Sequence, residues 1–237
     1  MNRTLLRASS RGAVVIAGTT LTLALTAVPA SAAQDLCVSI DGTVQVQRGT
    51  ATCSSVAGSG NVAIARGANS TATAGFSAGD QDNRAVASGD NSEAFAGIGS
   101  GNTATAFGDD SFASAGVGNG NTATSTGAHS GTTAEGTNQT AIASGVDGSA
   151  VARFGENSRA TASGDDSFAN ANGGDHNIAT ASGDNSSALA VTGNHNTAIA
   201  SAHSSSATAD LGDNNTAIAR SPNCTALATG GGVTDSC

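Results

Sequence analysis

Alanine recurs at alternate positions throughout the central part of the chain. Between Asn61 and Ala228 a five-residue phrase, a small polar residue followed by x-Ala-x-Ala, returns eighteen times at steps of mostly 9 or 10 residues, with Ser125 and Thr132 as the replacements of an alanine. Because successive side chains of a strand point to opposite faces, the first residue and the two alanines predict one face and the x residues the other. Each phrase therefore predicts one short β-strand.

Two kinds of phrase alternate, so the full repeat is 19 residues. Asn phrases begin at 61, 83, 102, 121, 177, 196 and 215, with Gln139 and Ser158 in the same series. Ser phrases begin at 70, 92, 111, 130, 167, 186 and 205, with Gly148 and Cys224 in that series. Steps of 22 residues from 61 to 83 and 18 residues from 121 to 139 place an insertion and a deletion between phrases. Two alternating series predict two different sides of one structure.

The linkers between phrases are rich in residues that turn the chain. Gly-Asp-Asn and Gly-Asp-Asp occur at 89–91, 108–110, 164–166 and 183–185, and these residues tolerate positive φ. Short strands and turns at a fixed period predict coils that bury their inner faces only by stacking. We expect an all-β fold, a parallel β-solenoid or β-roll of about nine 19-residue coils with two short strands each. We also expect the Asn and Ser columns to form hydrogen-bonded ladders between coils.

The N-terminal residues predict export, and the remainder of the chain divides into three segments. Arg3, Arg7 and Arg11, an apolar stretch at 13–28 and the small residues 30–32 are typical of a secretory signal peptide over 1–32; an uncleaved membrane anchor is the alternative. We then expect a disulfide-stapled cap at 33–60, the repeat array at 61–228 and a tail with a closing cysteine at 229–237. We expect the protein to be secreted, either free or attached to a cell surface, without stable membrane insertion after leader removal.

Four cysteines in an exported chain predict disulfides. Cys37 and Cys53 precede the array, whereas Cys224 and Cys237 lie at its end. Pairing within each couple would close a short loop and staple one end of the array. The other pairings, and pairing between molecules, remain open because connectivity does not follow from sequence.

Charge and composition narrow the function classes. The chain has 18 acidic residues against nine arginines, and removal of 1–32 takes the net charge from −9 to −12 because three arginines leave with it. This argues against nucleic acid and anionic membranes as partners, since both need a basic face. No catalytic motif stands apart from the repeat. We therefore expect a non-enzymatic protein without a cofactor.

Two sets of outward positions are candidate interaction faces. The first set consists of apolar residues in Ser phrases, which predict contact with a partner or another copy, unless turns or flanking segments cover them: Phe95, Phe112, Phe168, Leu189 and Leu227. The second set lies in Asn phrases: Thr103, Thr105, Thr122, Thr124, Thr140, Thr197 and Thr216. It is similar to the Thr-x-Thr face of ice-binding solenoids, although Arg84 and Arg159 interrupt it. Thr is also simply a good residue for an exposed strand.

Stacked acids and histidines are weaker candidates for metal binding. Asp90 and Asp109 occupy equivalent turn positions one coil apart, as do Asp165 and Asp184. Their carboxylates could recruit calcium, or they could serve only as turn residues. His176 and His195 are also one period apart. They could share a metal ion or act as a pH-sensitive pair, or they could be solvated turn residues.

The segments 88–96 (Ser-Gly-Asp-Asn-Ser-Glu-Ala-Phe-Ala) and 182–190 (Ser-Gly-Asp-Asn-Ser-Ser-Ala-Leu-Ala) resemble the YadA-like head repeats of trimeric autotransporter adhesins. That family has the consensus Gly-x-Asn-Ser-x-Ala-x-Gly. The half-repeats here are longer, Ala usually replaces the second Gly, and no coiled-coil stalk or membrane barrel is expected. The resemblance implies a left-handed parallel β-roll, a homotrimer, and adhesion to an extracellular protein or glycan surface. Adhesion or self-association is thus the predicted function, with ice binding as the alternative and a calcium-stabilised roll third.

Overall fold

The computed structural model describes residues 35–237, so the predicted signal peptide at 1–32 lies outside the described residues. Residues 35–237 form 22 β-strands in two sheets and no helix. The described part of the chain accordingly has no helix that is long and apolar enough to cross a membrane.

The two series of phrases form two separate sheets. The Asn phrases lie in a twelve-stranded sheet, here called the Asn sheet. Its strands are Leu36–Ile40 (β1), Thr43–Arg48 (β2), Val62–Arg66 (β4), Arg84–Ser88 (β6), Thr103–Phe107 (β8), Thr122–Ser125 (β10), Thr140–Ala143 (β12), Arg159–Ala162 (β14), Ile178–Ala181 (β16), Thr197–Ala200 (β18), Thr216–Ala219 (β20) and Thr234–Ser236 (β22).

The Ser phrases lie in a ten-stranded sheet, here called the Ser sheet. Its strands are Thr52–Ser55 (β3), Thr71–Ala74 (β5), Glu93–Ala96 (β7), Phe112–Asn119 (β9), Gly131–Thr137 (β11), Ser149–Glu156 (β13), Phe168–Asn172 (β15), Ser187–Val191 (β17), Ser206–Asp210 (β19) and Thr225–Thr229 (β21). The chain therefore passes from one sheet to the other twice in each coil, as the alternating phrases predict.

Strands of successive coils pair in parallel with equivalent residues side by side. Ala123 pairs with Ala104 of the preceding coil and with Ala141 of the following one. The prediction of an all-β parallel solenoid with two short strands per coil is confirmed. The structure has about ten coils rather than nine, because β3 pairs in parallel with β5 and β22 with β20.

Alanine methyl groups fill the space between the two sheets. The alanines of both series are fully buried, as at Ala141 and Ala143 of the Asn sheet and Ala150 and Ala152 of the Ser sheet, all 0% exposed. Each buried methyl contributes only about 0.8 kcal/mol. Stability must therefore also come from the hydrogen bonds that join one coil to the next.

A buried ladder of side chains runs along the interior of the Asn sheet. In a typical step, the Asn102 Oδ1 accepts a hydrogen bond from the Asn121 N–H (3.0 Å), and the Asn102 Nδ2 donates to the Gly118 carbonyl (2.8 Å). In this ladder a side-chain oxygen of one coil accepts a hydrogen bond from a backbone N–H of the next. The ladder begins at Asp41, which accepts from the Asn61 N–H, and ends at Asn215, which accepts from the N–H groups of Gly231 and Val233. This confirms the ladder expected for the Asn column.

Gln139 and Ser158 keep the ladder continuous. Gln139 follows the one-residue deletion, and its longer side chain still reaches the Gly155 carbonyl and accepts from the Ser158 N–H (3.2 Å). The Ser158 hydroxyl donates to the Gly174 carbonyl and accepts from the Asn177 N–H, both at 3.1 Å. A residue at this position thus needs both a donor and an acceptor, and its exact length matters less.

The Ser column differs from the expected ladder between coils. Ser92 donates to the Gly89 carbonyl three residues earlier in the same turn (2.9 Å), and Ser111 does the same to Gly108 (2.8 Å). A hydroxyl has a single donor hydrogen, and these serines use it within their own turn, so they do not donate to the next coil. Six of the seven Ser residues in this column, all except Ser186, therefore stabilise their own turns, whereas the Asn residues join coils.

Close stacking of the turns explains their glycines. Gly108 has a φ of 142°. A Cβ atom at this position would lie 2.6 Å from the Gly127 carbonyl oxygen of the next coil. Both the backbone conformation and the contact with the neighbouring coil therefore favour glycine.

Both ends of the solenoid are closed by a disulfide that joins the two sheets. Cys37 of β1 is bonded to Cys53 of β3, and Cys224 is bonded to Cys237, which confirms the pairing within each couple. At the N-terminal end, β1 and β2 form an antiparallel hairpin on β4. At the other end, the Asp235 carboxylate accepts a hydrogen bond from the Leu227 N–H of the last Ser-sheet strand (2.7 Å).

Candidate interaction surfaces

The five apolar candidates all point outward from the Ser sheet, but they do not form one continuous row. Phe95 pairs with Ser114, so it is a diagonal neighbour of Phe112 on the next strand. Phe168 pairs with Ser187 and is likewise a diagonal neighbour of Leu189. Leu227 lies alone on the last strand. The structure thus brings the candidates together as two pairs and one single residue.

These side chains are accessible to a partner. Phe112 is 39% exposed and Leu227 is 55% exposed, whereas Phe95, Phe168 and Leu189 are half-buried. The ring of Phe95 lies flat enough that a Cβ atom at Gly97 would collide with it. Part of the burial of Phe95 therefore comes from contact with its own strand. Phe112 and Leu227 are not covered by the turns.

The inserted residues between the first two Asn phrases form a loop beside the Ser sheet. Phe76 of this loop lines a shallow groove with Val56 and Phe95. Buried Asp80 holds the loop by accepting hydrogen bonds from the N–H groups of Phe76 (2.8 Å), Ser77 (2.7 Å) and Gly99 (2.9 Å). Burial acts to raise the pKa of Asp80, but these donors outweigh it and keep the pKa below its ordinary value. The loop adds an exposed aromatic ring at this end of the face.

A rim of exposed apolar residues at the edge of the Ser sheet was not predicted. Phe154 and Leu211 are 68% and 63% exposed and have φ values of 55° and 54°. That conformation is unfavourable for a bulky residue, and Gly173 and Gly230 occupy the equivalent positions in other coils. The signal in the sequence is an apolar residue directly before the turn glycine, as in Phe154-Gly155 and Leu211-Gly212.

The Asn sheet presents a different outer face, made mainly of hydroxyl and β-branched side chains. Thr103, Thr122 and Thr140 are adjacent in one column. Thr105 and Thr124 are adjacent in the next column, which continues with Ile142. Thr197 and Thr216 continue the first column near the C-terminal end, where the second column holds Ile199 and Ile218. The predicted Thr face is therefore one surface, interrupted by Arg84 and Arg159 as its sequence indicates.

Arginine is concentrated on this same face. The described residues contain six arginines, and strand alternation and exposure direct five of them outward from the Asn sheet: Arg48, Arg66, Arg84, Arg159 and Arg220. The sixth, Arg153, lies on the Ser sheet with its Nε 3.3 Å from the Glu135 Oε2. Sequence reasoning missed this grouping because Arg48 belongs to the antiparallel hairpin, which carries no repeat phrase.

The turns at one edge of the sheets carry stacked acidic residues. Asp90 accepts a hydrogen bond from the Ala68 N–H (2.8 Å), and Asp109 accepts one from the Asp90 N–H (2.9 Å). Asp165 and Asp184 repeat this contact to Val146 (2.9 Å) and Asp165 (3.2 Å). Within residues 35–237, His, Cys, Asp and Glu side chains form no group of three that could hold a metal ion. The hydrogen bonds of the four aspartates show that these residues join successive turns.

The histidines also stack between coils. The rings of His176 and His195 are parallel with centroids 4.9 Å apart, as their 19-residue separation predicts. His129 lies between Asp110 (3.5 Å) and Asp147 (3.9 Å) of the neighbouring coils. All of these groups are exposed to solvent, which weakens their interactions.

In comparisons with protein-family models, with characterised proteins and with solved structures, the chain had no significant match. The structure shows the solenoid fold. Because no comparison matches, the relationship to YadA-like head repeats stays a prediction.

Proposed function

We propose that this protein is an extracellular, non-enzymatic interaction module that self-associates through the outer face of the Ser sheet and contributes to adhesion. The observation that carries this proposal is the set of outward apolar side chains on that face, led by Phe112 and Leu227. Exposed apolar residues on a flat surface are typical of contact sites. The two disulfides support an oxidising environment outside the cell.

The size of the Ser sheet is suitable for pairing of two copies. Ten strands at a spacing of about 4.8 Å, with about five residues across each strand, give a face of roughly 700 Å². A standard protein interface buries about 800 Å² per partner. Face-to-face contact predicts a dimer, whereas the resemblance to YadA-like heads implies a trimer.

Light scattering coupled to size-exclusion chromatography tests self-association of the oxidised, leader-free protein. We expect an oligomer that the double variant Phe112→Asp with Phe168→Asp converts to monomer, because buried charges would replace apolar contacts. Thr122→Asp on the Asn sheet is the matched control and should leave the oligomer intact. A monomeric wild-type protein, or an oligomer that survives the double variant, would contradict the proposal.

Ice binding by the Asn sheet is the alternative, favoured by the regular rows of Thr103, Thr105, Thr122 and Thr124 on adjacent strands. In this case Thr124→Tyr should abolish thermal hysteresis, because a large ring disrupts the flat face. Phe112→Asp on the Ser sheet is the control and should have no effect. Wild-type protein without thermal hysteresis would exclude this function.

A further inference from the structure

Charge is distributed unequally over the described surface. Of the 18 acidic residues, none lies at an outward position of an Asn-sheet strand. They lie in the turns, on the Ser sheet, in the hairpin turn at Asp41, before β1 at Asp35, or inward at the C-terminal end, as Asp235 does. The outer face of the Asn sheet is thus locally cationic although the whole chain is strongly acidic.

The arginines of this face are spread along the length of the solenoid. Arg84 and Arg159 lie in the same column four coils apart, a distance of about 19 Å at 4.8 Å per coil. Arg48 and Arg66 flank Leu36 on either side near the N-terminal end. Arg220 follows β20 near the other end. The positive charges therefore form a sparse line rather than one cluster.

Arg84 and Arg159 are the arginines available to a ligand, whereas Arg66 lines a pocket with Asp35 and Asp90 at the edge of the face. Among residues 35–237, the salt bridges involve only His129 and Arg153 as cations. Arg84 and Arg159 are exposed and project from strands that fix their backbone positions. A guanidinium group binds a carboxylate with two parallel hydrogen bonds. The face thus offers carboxylate-binding groups without competing acids on the same strands.

The surface between the arginines is suited to sugars. Thr103, Thr122 and Thr140 separate Arg84 from Arg159 in the column, and their hydroxyls can both donate and accept hydrogen bonds. The neighbouring column contains only the β-branched residues Val, Thr and Ile from Val86 to Ile218. Hydroxyls beside apolar surface can contact the hydroxyl groups and the C–H faces of a sugar ring.

We propose that the outer face of the Asn sheet binds a linear polysaccharide that carries carboxylate groups, with the polymer lying along the solenoid axis. The sparse arginines fit a polymer of low charge density. Double-stranded DNA carries one charge per about 1.7 Å, and the acidic turns, including Asp90 and Asp109, would repel such a dense charge. This site is on the sheet opposite the self-association face, so it does not depend on that proposal.

The test measures binding of an end-labelled hyaluronan oligosaccharide, long enough to span Arg84 and Arg159, to the oxidised protein by fluorescence anisotropy. We expect binding at low salt that weakens as ionic strength rises from about 0.1 M to about 1 M. The double variant Arg84→Gln with Arg159→Gln should weaken binding about tenfold. Arg153→Gln is the matched control, because it removes an arginine from the opposite sheet, and should bind as the wild type does.

Three results would overturn the proposal. They are no binding of hyaluronan at low salt, equal loss of binding in Arg153→Gln and in the double variant, or equally tight binding of uncharged dextran. Unchanged melting temperatures of the variants would show that the fold is intact. If Phe112→Asp with Phe168→Asp produces a monomer that still binds hyaluronan, the two faces act separately; thermal hysteresis without hyaluronan binding would instead assign this face to ice.

Discussion

Replacing Asn102 by Ala is expected to lower the free energy of unfolding by about 3 kcal/mol. The change removes the acceptor of the Asn121 N–H and the donor to the Gly118 carbonyl. Asn121 is fully buried and Gly118 is half-buried, and each buried polar group without a partner costs about 1–3 kcal/mol. Chemical denaturation of the oxidised protein measures the loss.

Asn102→Ser is the matched control, since the chain itself uses Ser158 at the equivalent position. Ser158 keeps one bond of each kind to the next coil, so Asn102→Ser should lose clearly less stability than Asn102→Ala. Ser and Ala have similar volumes, and the difference between the variants isolates the hydroxyl group. Equal destabilisation of the two variants would show that packing, and not the ladder, is what Asn102 provides.

Replacing Ala141 by Leu is expected to destabilise the protein by about 3 kcal/mol, the upper part of the range for an overfilled core. Ala141 is fully buried, and alanines of both sheets surround the interior. Three added carbon atoms would have to separate the sheets, which would also strain the ladder bonds of the same coil. Thermal or chemical denaturation checks the prediction.

Thr140→Leu is the matched control for Ala141→Leu. Thr140 is adjacent in the same strand but points outward and is half-buried, so a larger apolar side chain there has space. We expect a change within about 0.5 kcal/mol. If Ala141→Leu were no more harmful than Thr140→Leu, the interior would have to be wider or more adaptable than the structure shows.

The strands and their inner faces could be predicted because the relevant information is local. Alternation of alanine sets which side of a strand is inward, and Gly-Asp-Asn sets where the chain turns. The pairing of Cys37 with Cys53 and of Cys224 with Cys237 was one of three possibilities, and it was favoured by the position of each couple at one end of the array. None of these features depends on how one coil lies on the next.

The candidate surfaces were predicted less completely. The five apolar residues were assigned to the correct face, but their separation into diagonal pairs depends on which residues lie side by side in neighbouring coils. The exposed positions of Phe154 and Leu211 depend on a turn conformation with positive φ. Side-chain type alone does not indicate that such residues project from an edge.

The sequence by itself determined the repeat, the two kinds of strand and the interior of small residues, because a period of two along a strand and a period of 19 along the chain are visible without any contact. Only the tertiary structure decided that the Asn side chains join coils while the Ser side chains cap turns, since both columns are polar and buried. It also decided that Arg48 shares a face with Arg66, Arg84 and Arg159. Stacking brings together residues that are far apart in the chain, and with them the charge pattern of each surface.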